Sequence, residues 1–205
     1  PLREAAPPAA RPEVHQVRWE AVTAFRGVRP GLGGGAATAT AGTPATPPPL
    51  SSSATGFWAF ADRDQSVEID YQASGGTWQP YLVFSVPKGA LSRRPDGSPF
   101  GPRDSVFITA TIDTTRLEVR LEPSGLTFSD AVPAALKVWY AGANRDFDGN
   151  GVIDQNDSYI EQEMLGLWLQ EDAAAPWVSV PAFKAVSGSY ILANLRHFSG
   201  YAVSW

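Results

Sequence analysis

From Gly56 to Trp205 the chain is a succession of short apolar or alternating runs, each closed by Gly, Pro, Asn, Asp or Ser, with no helical period between them. That pattern leaves few folds open. Runs at Phe57–Ala61, Val67–Tyr71, Tyr81–Val86, Val106–Ile112, Leu117–Glu122, Leu136–Tyr140, Leu165–Gln170, Trp177–Val180, Tyr190–Leu195 and Tyr201–Trp205 read as strands. Val67, Ile69 and Tyr71 face one way, with Glu68 and Asp70 facing the other. Leu117, Val119 and Leu121 alternate in the same manner with Glu118, Arg120 and Glu122. Such alternation belongs to a sheet with one face on the core and one in water. Strand after strand of this kind predicts an all-β antiparallel sandwich. Ser92–Asp104 reads as a polar loop and Ser158–Met164 as one helical turn. The seven Trp and ten Phe are expected to fill the space between the sheets, Trp139, Trp168 and Trp177 included.

One stretch writes down a specific chemistry. Asp146–Asp157 reads Asp-Phe-Asp-Gly-Asn-Gly-Val-Ile-Asp-Gln-Asn-Asp. Oxygen-bearing side chains stand at its first, third, fifth, ninth and twelfth positions: Asp146, Asp148, Asn150, Asp154 and Asp157. Gly151 is sixth, where a sharp turn lets Val152 offer its carbonyl. This is the spacing of a twelve-residue calcium loop, because a hard cation collects several hard oxygens. Ile153, next in line, is expected to tuck into the protein. The last position is Asp157 rather than glutamate, and in this the loop resembles the calcium loops of bacterial dockerins. An ordinary Asp/Asn/Gly turn is the plainer alternative. Five correctly spaced oxygens and the glycine favour Ca2+, held as a structural ion on a long hairpin connection.

The remainder narrows the function classes. The net charge is −5, so there is no basic footprint for nucleic acid. No apolar run approaches the ~18 residues of a membrane span. There is no Cys, hence no thiolate chemistry, and the two His are too few for a histidine metal cluster. No Gly-x-Ser-x-Gly elbow and no His-Glu-x-x-His occurs. Asp62, Asp64 and Glu68 crowd one turn, read as a solvated acidic loop before a second cation site. No signal peptide is read at Pro1, as expected for a mature or trimmed chain, and a calcium loop fits an extracellular, cell-surface or periplasmic protein. Residues 1–53 are Pro-, Ala- and Gly-rich and read as an N-terminal segment and linker, with one strand over 14–28. The sandwich is assigned to 54–205.

Three segments then carry a resemblance. Val83-Phe-Ser-Val-Pro-Lys-Gly-Ala-Leu91 resembles the strand-and-turn signature of the zonula-occludens/uncoordinated-five (ZU-five) domain. Leu121-Glu-Pro-Ser-Gly-Leu-Thr-Phe128, running on through Val132 to Leu136, is similar to that family's Pro-x-Gly-x-x-Phe segment. His197-Phe-Ser-Gly-Tyr-Ala-Val203 is similar to its closing strand in bacterial members. The resemblance implies a β-sandwich of bacterial exported or lipoprotein-like proteins whose role is protein interaction, not turnover. It also implies an alternative. Some members cut themselves within His-Phe-Ser, which here makes Ser199 the nucleophile, His197 the base and Phe198–Ser199 the severed bond. The structural reading of the same residues is that Phe198 packs inward, His197 bonds a loop carbonyl and Ser199 caps a turn. A carbohydrate-binding module is a further alternative, since exposed Trp stack on sugars.

Overall fold

The computed structural model describes residues 49–73, 75–113, 118–172 and 174–205. The strand expected over Val14–Val28, and Leu117, lie outside the described residues. Among the described residues there are thirteen strands: β1 (Ala54–Phe60), β2 (Gln65–Gln72), β3 (Trp78–Val86), β4 (Leu91–Arg93), β5 (Ser105–Asp113), β6 (Glu118–Glu122), β7 (Thr127–Phe128), β8 (Ala134–Trp139), β9 (Gly166–Gln170), β10 (Val178–Val180), β11 (Ala182–Ala185), β12 (Tyr190–Leu195) and β13 (Gly200–Ser204).

They form two antiparallel sheets packed face to face, as the alternation predicts. The six-stranded sheet runs β1-β5-β6-β13-β9-β10 and the five-stranded sheet β11-β12-β8-β3-β2, with β4-β7 as a separate ribbon. Ile108, Leu121, Leu167 and Tyr201 from the first meet Tyr81, Phe84, Leu136, Val138 and Ile191 from the second in one continuous core. In β2 the burial follows the sequence alternation, with Ile69 and Tyr71 buried and Glu68 exposed. A bulge between Ile69 and Asp70 sets Asp70 against Pro80. Proline is tolerated there because it stands at the bulge, beyond the Leu82–Ser85 stretch that pairs with β8.

Four expectations need correction. Pro49–Ser53, read as the end of a linker, is tied to β2: Gln72 N–H donates to the Pro49 carbonyl and Ser51 N–H to the Asp70 carbonyl, both at 2.8 Å. The loop Ser92–Asp104 begins with strand residues, because β4 pairs with β7 through Leu91 and Phe128. Trp139, Trp168 and Trp177 are only half-buried and stand outside the core, while Trp58 and Trp78 are exposed. The reason for Trp139 is parity: Leu136 and Val138 point inward, so Trp139 points out, where the Lys137 ammonium sits 4.2 Å from its ring centre. The core is filled instead by Tyr81, Tyr140, Tyr201, Phe84 and Phe198. Finally, the acidic loop is no hairpin. It lies between β8, in the five-stranded sheet, and β9, in the six-stranded one, and so crosses between sheets.

Candidate metal centre and the His-Phe-Ser segment

The crossing from β8 to β9 begins at Tyr140, whose side chain is fully buried, and turns at once through an Ala143 N–H bond to the Tyr140 carbonyl. Phe147 is buried and anchors the start of the acidic loop to the core. The loop ends in a short helix, α1 (Gln155–Tyr159), which runs on as a π-turn over Ile160–Met164. This helix starts three residues before the helical turn read from the sequence at Ser158, because Asp154 and Asp157 build a capping box at its head.

Within the loop the carboxylates of Asp146, Asp148 and Asp157 converge, with oxygen atoms all within 4.8 Å of one another. Two oxygens that share a calcium at 2.3–2.6 Å stand up to about 5 Å apart, so the spacing fits one such ion. Among the described residues this is the one group of three or more His, Cys, Asp or Glu side chains so arranged. The backbone is wound around it. Gly151 N–H donates to Asp146 Oδ2 at 2.8 Å and Asn150 N–H to Asp146 Oδ1 at 3.0 Å. Gly149 and Gly151 adopt φ of +70° and +88°, which a side chain resists. Asp157 is buried to 2% exposure and accepts N–H bonds from Phe147 (2.6 Å), Asp148 (3.2 Å) and Asp154 (2.8 Å). The Asn156 side-chain amide, 2.6 Å from Asp148 Oδ2, is the largest of the contacts that hold the Asp148 carboxyl below the usual carboxylate range.

The other expected ligands sit differently. Asp154 is exposed and caps α1, its Oδ1 accepting Asn156 N–H at 2.7 Å. A ninth-position residue often reaches calcium through water, which a capping carboxylate at the rim still permits. Asn150 Oδ1 accepts Val152 N–H at 2.8 Å and its amide donates to Asp148. Ile153, expected to point inward, is 67% exposed, and Val152 beside it is 60% exposed. The crossover between sheets stands off the core at this point, so neither side chain has an interior to enter.

Asp62, Asp64 and Glu68 do not come together. Asp62 pairs with Arg63 at 2.9 Å, Asp64 accepts Lys88 N–H at 2.7 Å, and Glu68 is exposed on β2.

His197-Phe198-Ser199 leads into β13. Phe198 is almost fully buried, its ring 5.4 Å from that of Phe84 and 5.1 Å from that of Phe128. Its N–H donates to the Leu126 carbonyl, and the Ser199 carbonyl accepts Leu121 N–H. The Ser199 hydroxyl, also buried, donates to the Gln170 carbonyl on β9. His197 Nε2 lies 3.4 Å from the Glu171 carboxylate, and the His197 carbonyl accepts the Tyr201 hydroxyl at 2.6 Å. In this arrangement the serine hydroxyl is aimed at β9 and the imidazole at Glu171, so the two groups serve separate partners.

An open cleft of about 690 Å3 lies where the edge strands β10 and β11 of the two sheets face each other, lined by Leu169, Val180, Phe183, Leu192, Asn194 and Arg196. Nothing in the sequence reading pointed to it, because β11 lacks clear alternation. No protein-family model matches the chain, and no curated protein and no solved structure shows significant similarity to it.

Proposed function

We propose that the protein is a non-enzymatic, exported or surface-attached sandwich of ZU-five-like type that binds one calcium ion structurally and serves protein interaction. The observation that carries the calcium reading is the convergence of Asp146, Asp148 and Asp157 within 4.8 Å at the first, third and twelfth positions of the loop. Three carboxylates so close repel one another, and a divalent cation removes that repulsion while closing the crossover between the two sheets. The ion is thus a staple across the sandwich, acting on stability. The ZU-five part of the reading is supported by one packing feature. The three segments that carry the resemblance meet at one place, where the rings of Phe84, Phe128 and Phe198 pack tilted and edge-on against one another.

Thermal melting with and without calcium tests the proposal. An ion that binds the folded state alone stabilises by mass action, about 2.7 kcal/mol at a hundredfold excess over Kd. For a domain of this size that raises Tm by roughly 5–10 °C. Asp148→Ala is expected to abolish the rise. A melt indifferent to millimolar calcium would remove the ion from the function.

A further inference from the structure

Just outside the acidic loop, on either side of it, stand two oppositely charged residues that the ligand spacing does not include. Arg145 directly precedes Asp146, the first loop position, and Glu161 follows Asp157, the last, by four residues. Arg145 Nη2 lies 2.5 Å from Glu161 Oε2. The pair is lopsided: the arginine side chain is 45% exposed and the glutamate 6%. Glu161 Oε1 is buried without a hydrogen-bond partner among the described residues. The Tyr140 hydroxyl lies alongside, likewise buried and outside hydrogen-bond geometry, and burial, then Glu161, pushes it up to about 12. Lys184, whose ammonium donates to the Leu165 carbonyl at 2.8 Å, feels the charge of Glu163 and, less strongly, that of Glu161.

We infer that the Arg145–Glu161 pair is a positioning clasp that sets the affinity of the loop for its ion. This rests on the calcium reading given above. The physical reason is leverage. Asp157 and Glu161 are four residues apart and share one face of a short helical segment. Wherever Glu161 is held, Asp157 follows. Arg145 is covalently next to Asp146, so the ion pair brings the first and last loop carboxylates into range of one another before any cation arrives. A loop closed in advance leaves less ordering to be done on binding. A buried carboxylate that loses its arginine must find water, and the way out for Glu161 is a rotation of the helical turn that carries Asp157 away from Asp146 and Asp148.

Calcium Kd, measured on the full chain by competition with a chromophoric chelator, tests this. Arg145→Met with Glu161→Met removes the pair without changing net charge, so an altered Kd reports geometry and not the long-range field. Met keeps the apolar stem of the half-exposed Arg145 and leaves no charge at the buried position of Glu161, and the melt in chelator checks that folding is unchanged. The expected result is calcium binding about tenfold weaker, the scale typical of losing an outer-shell partner of a metal ligand. Glu161→Gln, nearly isosteric, is expected to weaken binding in the same direction, and Arg145→Lys to restore most of it. A Kd unchanged in the double variant and in Glu161→Gln would overturn the clasp while leaving the calcium site standing. A wild-type chain that binds no calcium would overturn the site itself and the clasp with it.

Discussion

At the scale of single residues, Asp148 and Asp157 look alike in sequence and carry different structural loads. Asp157 is buried and holds three backbone N–H groups. Asp157→Ala leaves them without an acceptor. Only Phe147 among the three donors is buried, so the cost is expected to be about 1–3 kcal/mol, that of one unsatisfied buried group. That loss should be present already in chelator, by denaturant titration, with the calcium response lost in addition because Asp157 is one of the three converging carboxylates. Asp148 bonds mainly to loop neighbours, Asn150 and Asn156, so Asp148→Ala is expected to change the chelated melt little and to erase the calcium response. Equal effects of the two substitutions in chelator would contradict this division. The spacing of the acidic residues was legible because positions along a loop are fixed by the count of residues. The burial of Asp157 was not, since it depends on where the crossover docks. Nor did the spacing reveal that Asp154 spends its side chain on capping a helix.

At the scale of elements, the strands followed from alternation where a strand has one wet face, as in β2 and β6. β4, β7 and β11 escaped notice because two to four residues cannot establish a period of two. The placement of Trp139 was readable in principle from its parity against Val138, but the size of the side chain argued the other way. The His-Phe-Ser segment is packed as an element of the core. Phe198→Ala removes a ring held between Phe84 and Phe128 and is expected to cost about 3–5 kcal/mol, measured by denaturant unfolding. Ser199→Ala loses one buried hydrogen bond to Gln170 and is expected to cost about 1 kcal/mol. Denaturing mass spectrometry of the unaltered chain is expected to give a single species near 21.9 kDa. A released heptapeptide Ser199–Trp205 would instead establish self-cleavage.

At the scale of the whole molecule, two sheets share one core and several chain crossings tie them together. Tyr81 and Tyr201, both buried in that core, have phenols pushed up mainly by desolvation, as has Tyr140 at the start of the loop crossing. A phenol whose folded value is raised lends stability that is complete below its ordinary value, about 10. That stability drains away as pH climbs from there toward the folded value. Alkaline unfolding is therefore expected to be cooperative, with phenolate absorbance of the buried tyrosines appearing together with loss of the β-sheet circular dichroism. Phenolate growth well before the unfolding would mean these rings are wetter than their burial indicates.

The β8–β9 crossing also makes the acidic loop a joint between sheets. A calcium titration followed by calorimetry tests that joint most directly. One ion bound per chain, with the heat lost on Asp148→Ala, is the outcome expected of Asp146, Asp148 and Asp157 closing on a single cation. An isotherm without heat for the unaltered chain, or one that Asp148→Ala leaves intact, would contradict it.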